Sequence, residues 1–528
     1  MKLTLQEITE NPCLFTEKGI KLPEYDVVAA REKAVAAPRW VHFGIGNIFR
    51  VFIGGIAEDL MNRGLLDRGI TCAETFDEEV VDKIYRPFDN LALSVILNPD
   101  GTREMRVLAS MAEAVKAIPE EGAQWQRMQE IFRSESLEMV SYTITEKGYV
   151  PGADFGTPDK PRGAMGVTAA LLRERFLAGG RSVALVSMDN CARNGKLLKA
   201  SVTGIVREWI GQGVAEEGFL AWLEGEDNVA FLSTMIDKIT PRPGDELARD
   251  LADLGLEDLS PVITSRRTYI APFVNGERPQ YLVIEDRFPN GRPALEEGFG
   301  VYMGDFDTVC RSERMKVTAC LNPAHTAVGP LGVVLGQEKF ADMLRDIPAT
   351  LRMAQQVIYG EGLPVAPSPG ILSPKAFADE VFQRFTNLYL GDTNLRLATD
   401  ASQGLAVRFG ETIKSYCARF GSAESLLGIP FGIAGFFRYL LEVDDQGEPY
   451  ELAPDPLAGE IHAALAGVWL GQPETLQDQL RPYLSDETLF GIDLYAAGLG
   501  SKVEGFLREM LAGPGSTRAT LERLFPET

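Results

Sequence analysis

The N-terminal part of the chain alternates between short apolar runs and amphipathic stretches. Residues 39–46 predict a buried strand that ends in a glycine turn, and residues 47–61 carry apolar side chains at helical spacing. A second apolar run at 69–75 completes a strand, turn, helix and strand unit. Further apolar runs at 137–145 and 182–188 continue the alternation. This pattern predicts an α/β domain with a mostly parallel sheet that helices cover on both faces.

Two local patterns modify this picture. Residues 90–97 and 103–109 flank Asn98-Pro99-Asp100-Gly101, which predicts a β-hairpin. After about residue 300 strand-like runs become rare and helical periodicity prevails, with a Pro- and Gly-rich loop expected at 361–374. The helical segments are expected near 331–346, 374–386, 403–419, 455–470, 473–483 and 494–512. We therefore predict two domains, an α/β domain at 1–300 and a mainly α-helical domain at 301–528.

Composition excludes several function classes. The net charge of −23 argues against a nucleic-acid or anionic-membrane partner, so an anionic substrate would need a local cluster of Arg and Lys. Three histidines and six scattered cysteines without a CxxC pair argue against a metal site and against a disulfide framework. We find neither a secretory signal nor an apolar run long enough for a membrane helix, so a cytoplasmic location is expected.

The glycine turn indicates a dinucleotide site. Gly44 and Gly46 stand where the first strand meets the first helix, followed by Asn47 and Ile48. Glycine there lets the backbone approach a pyrophosphate, and the N-terminus of the helix favours its negative charge. The third glycine of the usual fingerprint is absent, so a turn without a ligand is the alternative interpretation.

Acidic residues at the end of the second strand favour NAD over NADP. Glu74 ends that strand and Asp77 follows closely. A carboxylate at this position holds the adenosine ribose hydroxyls and repels a 2′-phosphate. The spacing from Gly46 leaves the choice between Glu74 and Asp77 open, and both could instead be solvated loop acids.

Polar clusters follow two later strands. Thr145 and Lys147 belong to the first cluster, and Asn190 and Asn194 belong to the second. Ligands of open parallel sheets bind outside the carboxyl ends of the strands, where these clusters are expected. Such residues are also ordinary turn and cap formers, so each one alone is more typical of a structural role.

The segment 313–330 holds the strongest catalytic candidates. Asn322 and His325 are three residues apart and share a helical face, but Lys316 lies six before Asn322, off that face in an ideal helix. A helical distortion or boundary is needed to bring Lys316 in. Burial would lower the pKa of such a lysine, which could then exchange a proton with an alcohol, while an Asn amide polarises the carbonyl. A snorkelling lysine beside a cap Asn and a core His is the alternative.

The chain resembles the polyol-specific long-chain dehydrogenases, the mannitol dehydrogenase family, over nearly its whole length. GIGNIFR resembles the family's first βα turn, and TITEKGY and SMDNCARNG resemble its later strand ends. YLVIEDRFPNGRP, KVTACLNPAHT and RLATDASQ follow in the family's order. TACLNPAHT and RFGETIK are most similar to the fructuronate reductase (D-mannonate oxidoreductase) branch.

This resemblance implies an N-terminal Rossmann-type domain that binds NAD, a helical C-terminal domain and a zinc-independent mechanism. It implies that Lys316 is the general acid/base and that His325 orients the lysine or the substrate hydroxyls. Asn322 and one of Asn190 or Asn194 would polarise the reacting oxygen, with Asn194 preferred. Arg396 would bind substrate, within a sugar acid or polyol site of a monomer or small homo-oligomer.

Two positions depart from the family pattern. The family places the lysine five residues before the asparagine, whereas the gap here is six, so a one-residue bulge or a different lysine position is required. Family members often carry a lysine at the position of Gly404. Arg408 or Lys414 is expected to supply the missing cation.

We therefore expect reversible reduction of a hexuronate keto group with NADH, with D-fructuronate to D-mannonate as the first choice. Reduction of tagaturonate and oxidation of mannitol at position 2 are the alternatives within the family. A nucleotide-binding sugar sensor without catalysis is the alternative from another class.

Overall fold

In the computed structural model, which describes residues 1–150, 152 and 154–527, the chain divides into two units. Unit 1 is Met1–Cys310 and unit 2 is Arg311–Thr528. The sequence-based domain limit at residue 300 lies just before a strand, Val301–Gly304, that belongs to unit 1. That limit stays a prediction, and each unit is described by itself below.

A six-stranded sheet is the centre of unit 1. Its strands, in chain order, are β1 (Trp40–Phe43), β2 (Ile70–Glu74), β3 (Met111–Lys116), β4 (Met139–Tyr142), β5 (Val183–Ser187) and β6 (Val229–Leu232). The hydrogen-bonded order is β6-β5-β4-β1-β2-β3, and every neighbouring pair is parallel. This is the doubly wound order of dinucleotide-binding domains, so the predicted Rossmann-type α/β domain is confirmed.

The continuous apolar runs of the sequence are explained by burial on both faces of this sheet. Successive side chains of a strand point to opposite faces. In β1, Trp40 belongs to one buried cluster, whereas Val41 and Phe43 belong to the other. In β5, Ala184 and Leu185 divide between the two clusters in the same way. A strand with two buried faces has no position for an exposed polar side chain, which is why the alternating pattern of half-buried strands is absent.

Smaller sheets and helices complete unit 1. A four-stranded sheet has the order Ile20–Lys21, Arg103–Leu108, Ala92–Leu97, Phe273–Gly276, and it contains the predicted antiparallel hairpin around residues 98–101. A three-stranded sheet has the order Thr234–Asp237, Tyr281–Glu285, Val301–Gly304. Two-stranded sheets pair Val262–Ile263 with Tyr269–Ile270 and Gly156–Thr157 with Lys160–Pro161. The α-helices of four or more residues are Leu5–Glu10, Pro12–Thr16, Val27–Ala36, Gly55–Asn62, Ala123–Arg133, Thr145–Gly148, Gly163–Leu177, Asn194–Gly211, Glu217–Glu224 and Asp245–Asp253.

Unit 2 is helical, as the periodicity predicted, and its described residues contain no named strand. Its α-helices of seven or more residues are Asn322–Val334, Phe340–Asp346, Pro348–Gln355, Pro374–Phe385, Glu411–Phe420, Gly428–Tyr439, Ala458–Ala464, Gly500–Met510 and Ser516–Leu524. The helix Phe306–Met315 precedes them and contains the division between the units. Two local expectations differ from the structure in extent. The stretch 473–483 holds only the 3₁₀ turn Pro473–Thr475 and the start of the short α-helix Arg481–Leu484, so the continuous helix expected there was wrong. The loop expected at 361–374 is present at 366–373, because the residues before it belong to the helical turns Gln356–Gly362 and Leu363–Val365.

The centre of unit 2 is a close pair of helices, Asn322–Val334 and Gly428–Tyr439. Gly432 and Gly435 allow their close approach, because a Cβ atom at Gly432 would lie 2.8 Å from Ala327 and one at Gly435 would lie 2.6 Å from Leu331. This close packing fixes the position of the helix Asn322–Val334, which carries two of the catalytic candidates.

Candidate active site

The glycine turn of unit 1 is shaped by a tight contact and an open space. Gly44 has φ +88°, and a Cβ atom there would lie 2.1 Å from the carbonyl oxygen of Thr143. Glycine is therefore required at this position. A Cβ atom at Gly46 would have no neighbour within 4 Å. The backbone of Gly46 is thus exposed to an approaching group at the start of a helix, which fits a pyrophosphate.

A directional chain of hydrogen bonds holds the turn against the end of β4. Trp40 Nε1 donates to Ser141 Oγ at 2.7 Å, and Ser141 Oγ lies 2.7 Å from His42 Nδ1. His42 Nε2 lies 2.8 Å from Thr143 Oγ1, which donates to the carbonyl of Gly44 at 2.7 Å. Because the hydroxyl proton of Thr143 goes to Gly44, His42 Nε2 donates to Thr143 Oγ1. Burial lowers the pKa of this imidazole to about 3, so the ring is neutral near neutral pH. His42 was not among the predicted site residues, because a lone His in a strand carries no signal in the sequence.

Asn47 and Ile48 have structural side chains. Asn47 Oδ1 accepts a hydrogen bond of 2.7 Å from the guanidinium of Arg50, which is buried and also donates to the carbonyl of Ala271. Ile48 packs against the buried cluster on the same face of the sheet as Trp40. The Oδ1 atom of Asn47 is therefore already engaged within unit 1.

The two acidic residues at the end of β2, Glu74 and Asp77, accept hydrogen bonds from other residues of unit 1. The backbone N–H groups of Thr75, Phe76 and Asp77 point to Glu74 Oε1 at 2.9–3.3 Å, and the N–H of Ile45 points to Oε2 at 3.4 Å. Burial raises the pKa of the Glu74 carboxyl, against the effect of these donors. The carboxylate of Glu74 therefore links the end of β2 to the glycine turn.

Asp77 has a different environment. Its Oδ2 accepts a hydrogen bond of 2.6 Å from Thr264, while its buried Oδ1 has no partner among the described residues. Next to it, the ring of Phe76 is 64% exposed, and the guanidinium of Arg266 lies 5.5 Å from the ring centroid. An exposed aromatic ring offers a flat apolar face on which a base can stack. Phe76 was not among the predicted site residues, because it lies in a turn.

The ends of β4 and β5 are joined by Asp189. Its carboxylate accepts hydrogen bonds of 2.9 Å from the backbone of Ile144 and Thr145 and one of 2.6 Å from Tyr149 Oη. Thr145 has φ +64°, which this double backbone contact stabilises. The side chains of Thr145 and Lys147 are exposed at this edge of the sheet. The two polar clusters predicted to meet at the carboxyl ends of the strands therefore do meet.

Asn194 and Asn190 differ in their burial. Asn194 is fully buried, and its Nδ2 donates to the carbonyls of Asp189 (2.8 Å) and Thr234 (3.1 Å), while its Oδ1 accepts from the N–H of Thr234 (2.9 Å). Both amide protons are committed to backbone carbonyls. This geometry disagrees with the preference for Asn194 as the group that polarises a substrate oxygen, because it could do so only by giving up one of these bonds. Asn190 is exposed.

In unit 2, Lys316 begins a π-helical turn. The turn Lys316–Cys320 follows the helix Phe306–Met315, and the N–H of Leu321 donates to the carbonyl of Lys316 at 3.0 Å, five residues back. A π turn accommodates one extra residue in a helix. Leu321 is then non-helical, with φ −129° and ψ −67°, and Asn322 starts the next helix. The distortion that the six-residue gap required is therefore present, and Lys316 is buried within it.

Asn322 and His325 lie in the first turn of that helix. Asn322 makes no side-chain hydrogen bond within the described part of the chain, and its Oδ1 is buried without a partner. His325 packs edge-on against Phe340 and lies 4.5 Å from the ring centroid of Phe385. Burial lowers the pKa of the His325 imidazole to about 3, so the ring is neutral near neutral pH. An amide without partners beside a neutral imidazole is typical of a ligand site rather than of a helix cap.

Several cations act on His325. After burial, the charge of Asp392 raises the pKa of its imidazole, and the charges of Arg396, Arg384 and Arg408 lower it. Arg396 forms a bidentate ion pair with Asp392 and is exposed. Three arginines therefore lie near enough to His325 for their charges to act on it, and one of them, Arg396, is paired with Asp392. Arg384 was missed, because one Arg within an amphipathic helix gives no signal of its position.

The two candidates for the missing cation, Arg408 and Lys414, differ in whether an acidic residue pairs with them. Arg408 donates to Thr326 Oγ1 at 2.9 Å and forms no ion pair with any described residue. Lys414 pairs with Glu411 at 3.0 Å and is 43% exposed. Only Arg408 therefore keeps its charge available, and burial lowers the pKa of its guanidinium. The described residues contain no cluster of three or more His, Cys, Asp or Glu suited to a metal ion.

The match to known families is extensive. Residues 38–297 match the Mannitol dehydrogenase Rossmann domain, and residues 309–510 match the Mannitol dehydrogenase C-terminal domain. A D-mannonate oxidoreductase of Thermotoga maritima is 43% identical, with 98% of this chain and 98% of that protein covered. A polyol:NADP oxidoreductase of Gluconobacter oxydans is 28% identical over 85% of this chain and 88% of its own.

Among solved structures, the Pseudomonas fluorescens mannitol 2-dehydrogenase, solved as a ternary complex with NAD and D-mannitol, has a similar fold. Its TM-score is 0.71 at 24% identity, and 99% of each chain is covered. In the described residues of the present chain, no helix combines the length and the apolar character that crossing a bilayer requires.

Proposed function

The chain belongs to the mannitol dehydrogenase family, as its motifs predicted, and on that premise we propose that it reduces a hexuronate keto group reversibly with NAD(H). It is an oxidoreductase that acts on CH–OH groups, with a sugar acid or polyol as substrate. D-fructuronate to D-mannonate is the reaction that we put first. The relative with 43% identity is named for mannonate, and the similarity extends over both chains.

One observation carries the preference for an acid over a neutral polyol. The guanidinium of Arg408 is partly buried and forms no ion pair with any described residue, in a chain whose net charge is −23. A neutral polyol offers nothing to balance this charge, whereas a uronate carboxylate is attracted to it.

Each candidate residue of unit 2 has its own role in the reduction. Lys316 donates the proton to the oxygen of the carbonyl that is reduced, and the amide of Asn322 donates a hydrogen bond to the same oxygen as negative charge develops. The neutral ring of His325 orients Lys316 or a substrate hydroxyl. Asn190 and Asn194, which belong to unit 1, stay the candidates for the second amide that the family resemblance implies. Arg396 and Arg408 hold the substrate.

The coenzyme site is assigned to unit 1. NADH, when bound, supplies the hydride. Gly44 and Gly46 admit the pyrophosphate, with backbone contacts from Asn47 and Ile48, and Glu74 and Asp77 keep negative charge beside the adenosine ribose. That charge favours NAD, although one relative is named for NADP. Thr145, Lys147 and Asn190 stand at the neighbouring strand ends, where the coenzyme is expected to pass.

A substrate panel tests the proposal. Purified enzyme is assayed with NADH or NADPH against fructuronate, tagaturonate and fructose, and we expect the highest kcat/KM for fructuronate with NADH. Preference for tagaturonate or fructose would reassign the substrate. Binding of NADH without turnover of any of the three would favour a sensor and contradict the proposal.

The lysine assignment is tested in the same assay. Lys316→Ala should lower kcat about 10²- to 10⁴-fold, since a positioned proton donor contributes rate of that order. Lys375→Ala is the matched control, because Lys375 is 72% exposed and forms its ion pair with Asp379. Near-native turnover of Lys316→Ala would show that another group donates the proton.

A further inference from the structure

The absence of a side chain at residue 404 determines where Arg408 lies. The helix Ala401–Leu405 continues into the π turn Ala406–Gly410, so Gly404 is about one turn before Arg408. A Cβ atom at Gly404 would lie 2.6 Å from Nε, 2.8 Å from Cζ and 2.9 Å from Cδ of Arg408. The guanidinium thus occupies the volume that any side chain at position 404 would fill. Because these atoms belong to a flexible side chain, a substitution would displace the guanidinium and leave the backbone in place.

The guanidinium in that volume has few partners of its own. It is partly buried, and its one hydrogen bond within the described residues goes to the hydroxyl of Thr326. A guanidinium has five N–H donors, and a buried charge without a counter-ion is unfavourable in the absence of a ligand. Thr326 adjoins His325 in the chain, and the charge of Arg408 acts on the His325 ring. The unbalanced cation therefore lies beside the proposed reaction centre.

The other two cations that the sequence suggested here, Arg396 and Lys414, are less suited to the same task. Arg396 already holds the carboxylate of Asp392 in a bidentate pair, and Lys414 holds that of Glu411. Both are also exposed, so water screens their charges. A carboxylate that bound at either one would have to compete with an acid of the protein itself.

We propose that Gly404 and Arg408 form one unit that binds the carboxylate of the substrate, with Gly404 supplying the space and Arg408 the paired N–H donors. The inference rests on the proposed function and adds the residue pair that separates acid from neutral substrates. Arginine suits this task because its planar fork matches the two oxygens of a carboxylate, which a lysine cannot do. Gly404 is then needed for specificity and not for chain flexibility.

Kinetics with an acid and a neutral ketose test the pair. Fructuronate and fructose are compared in wild type, Arg408→Gln, Arg408→Lys and Gly404→Ala. For Arg408→Gln we expect kcat/KM for fructuronate to fall on the order of 100-fold, mostly through KM, and kcat/KM for fructose to change less than about 3-fold. Arg408→Lys keeps the charge but lacks the planar fork, so its kcat/KM for fructuronate should fall about 10-fold. In Gly404→Ala the same kcat/KM should also fall about 10-fold, although Arg408 is intact.

An exposed arginine provides the control variant, and two results would contradict the inference. Arg345→Gln removes an exposed arginine that pairs with Asp342 and Asp346, and it should leave both substrates unaffected. Equal losses on fructuronate and fructose in Arg408→Gln, with an unchanged unfolding temperature, would overturn the inference. So would a normal KM for fructuronate in Gly404→Ala. If Arg408→Gln is unstable, Arg408→Lys and Gly404→Ala decide the question alone.

Failure of the proposed function would look different. In that case wild-type enzyme would reduce neither fructuronate nor tagaturonate, and both proposals would fall together. Normal reduction of fructuronate by wild type, with no selective loss in any of the three variants, would leave the function standing and remove only the carboxylate site.

Discussion

Asn322 offers the sharpest separation between a catalytic and a structural interpretation. Its Oδ1 is buried without a hydrogen-bond partner, and its amide makes no side-chain bond in the described structure. A residue that stabilised the fold would lose bonds when it is replaced. Asn322→Ala loses none, so it should lower the rate of the reaction and leave the stability of the fold intact.

The two magnitudes can be estimated separately. Removal of one donor to a developing oxyanion lowers kcat about 10²- to 10³-fold, which corresponds to about 3–4 kcal/mol of transition-state stabilisation. A buried polar oxygen without a partner costs about 1–3 kcal/mol of folding free energy. Asn322→Ala removes that oxygen, and alanine is a better helix former, so stability should be unchanged or higher.

Asn194→Ala is the matched control. It removes two bonds from Nδ2 to carbonyls of Asp189 and Thr234 and leaves the buried N–H of Thr234 without its acceptor. At about 1 kcal/mol for each bond, plus the unpaired donor, the expected loss is about 2–4 kcal/mol. In a unit of this size that corresponds to a Tm lower by about 3–6 °C.

The assay is steady-state reduction of the keto acid with NADH, beside thermal unfolding of each variant followed by circular dichroism. A drop in kcat at an unchanged or raised Tm is expected for Asn322→Ala, and a lower Tm for Asn194→Ala. A Tm loss of several degrees in Asn322→Ala with little change in kcat would refute the reasoning, because the side chain would then be structural.

The remaining predictions concern unit 1. Gly44→Ala should lower stability by about 1–3 kcal/mol, since φ is +88° and the new Cβ would meet the carbonyl oxygen of Thr143 at 2.1 Å. Gly46→Ala meets no atom, so urea unfolding should be unaffected while fluorescence titration shows weaker NADH binding; unaltered binding would remove the pyrophosphate from this turn. Burial raises the pKa of the Glu58 carboxyl from 4.5 to about 7, so the stability that it contributes is complete below pH 4.5 and is lost as the pH rises through 7. The shift corresponds to about 3 kcal/mol, so Glu58→Gln should gain stability relative to wild type between pH 5 and pH 8 in urea titrations, and a pH-independent difference would contradict this.

Some residues of the candidate site were predicted from the sequence and others were not, depending on how far apart along the chain the interacting residues lie. Lys316, Asn322 and His325 lie within one short segment, so spacing alone could relate them and could show that a helical distortion was needed. Asn194 was preferred over Asn190 from resemblance, because sequence does not tell which amide has its protons committed to backbone carbonyls. His42 and Arg384 were missed because their partners come from remote segments of the chain.

The sequence by itself determined the class of each unit and the existence of the glycine turn. Those features depend on local periodicity and on backbone restrictions, such as the strand runs buried on both faces and the positive φ of Gly44. Tertiary structure alone decided which charges remain available. Arg396, Arg408 and Lys414 look equivalent in the sequence, yet two of them pair with an acid and one lies over Gly404 without a counter-ion. Pairing depends on side-chain packing between segments, which no pattern along the chain records.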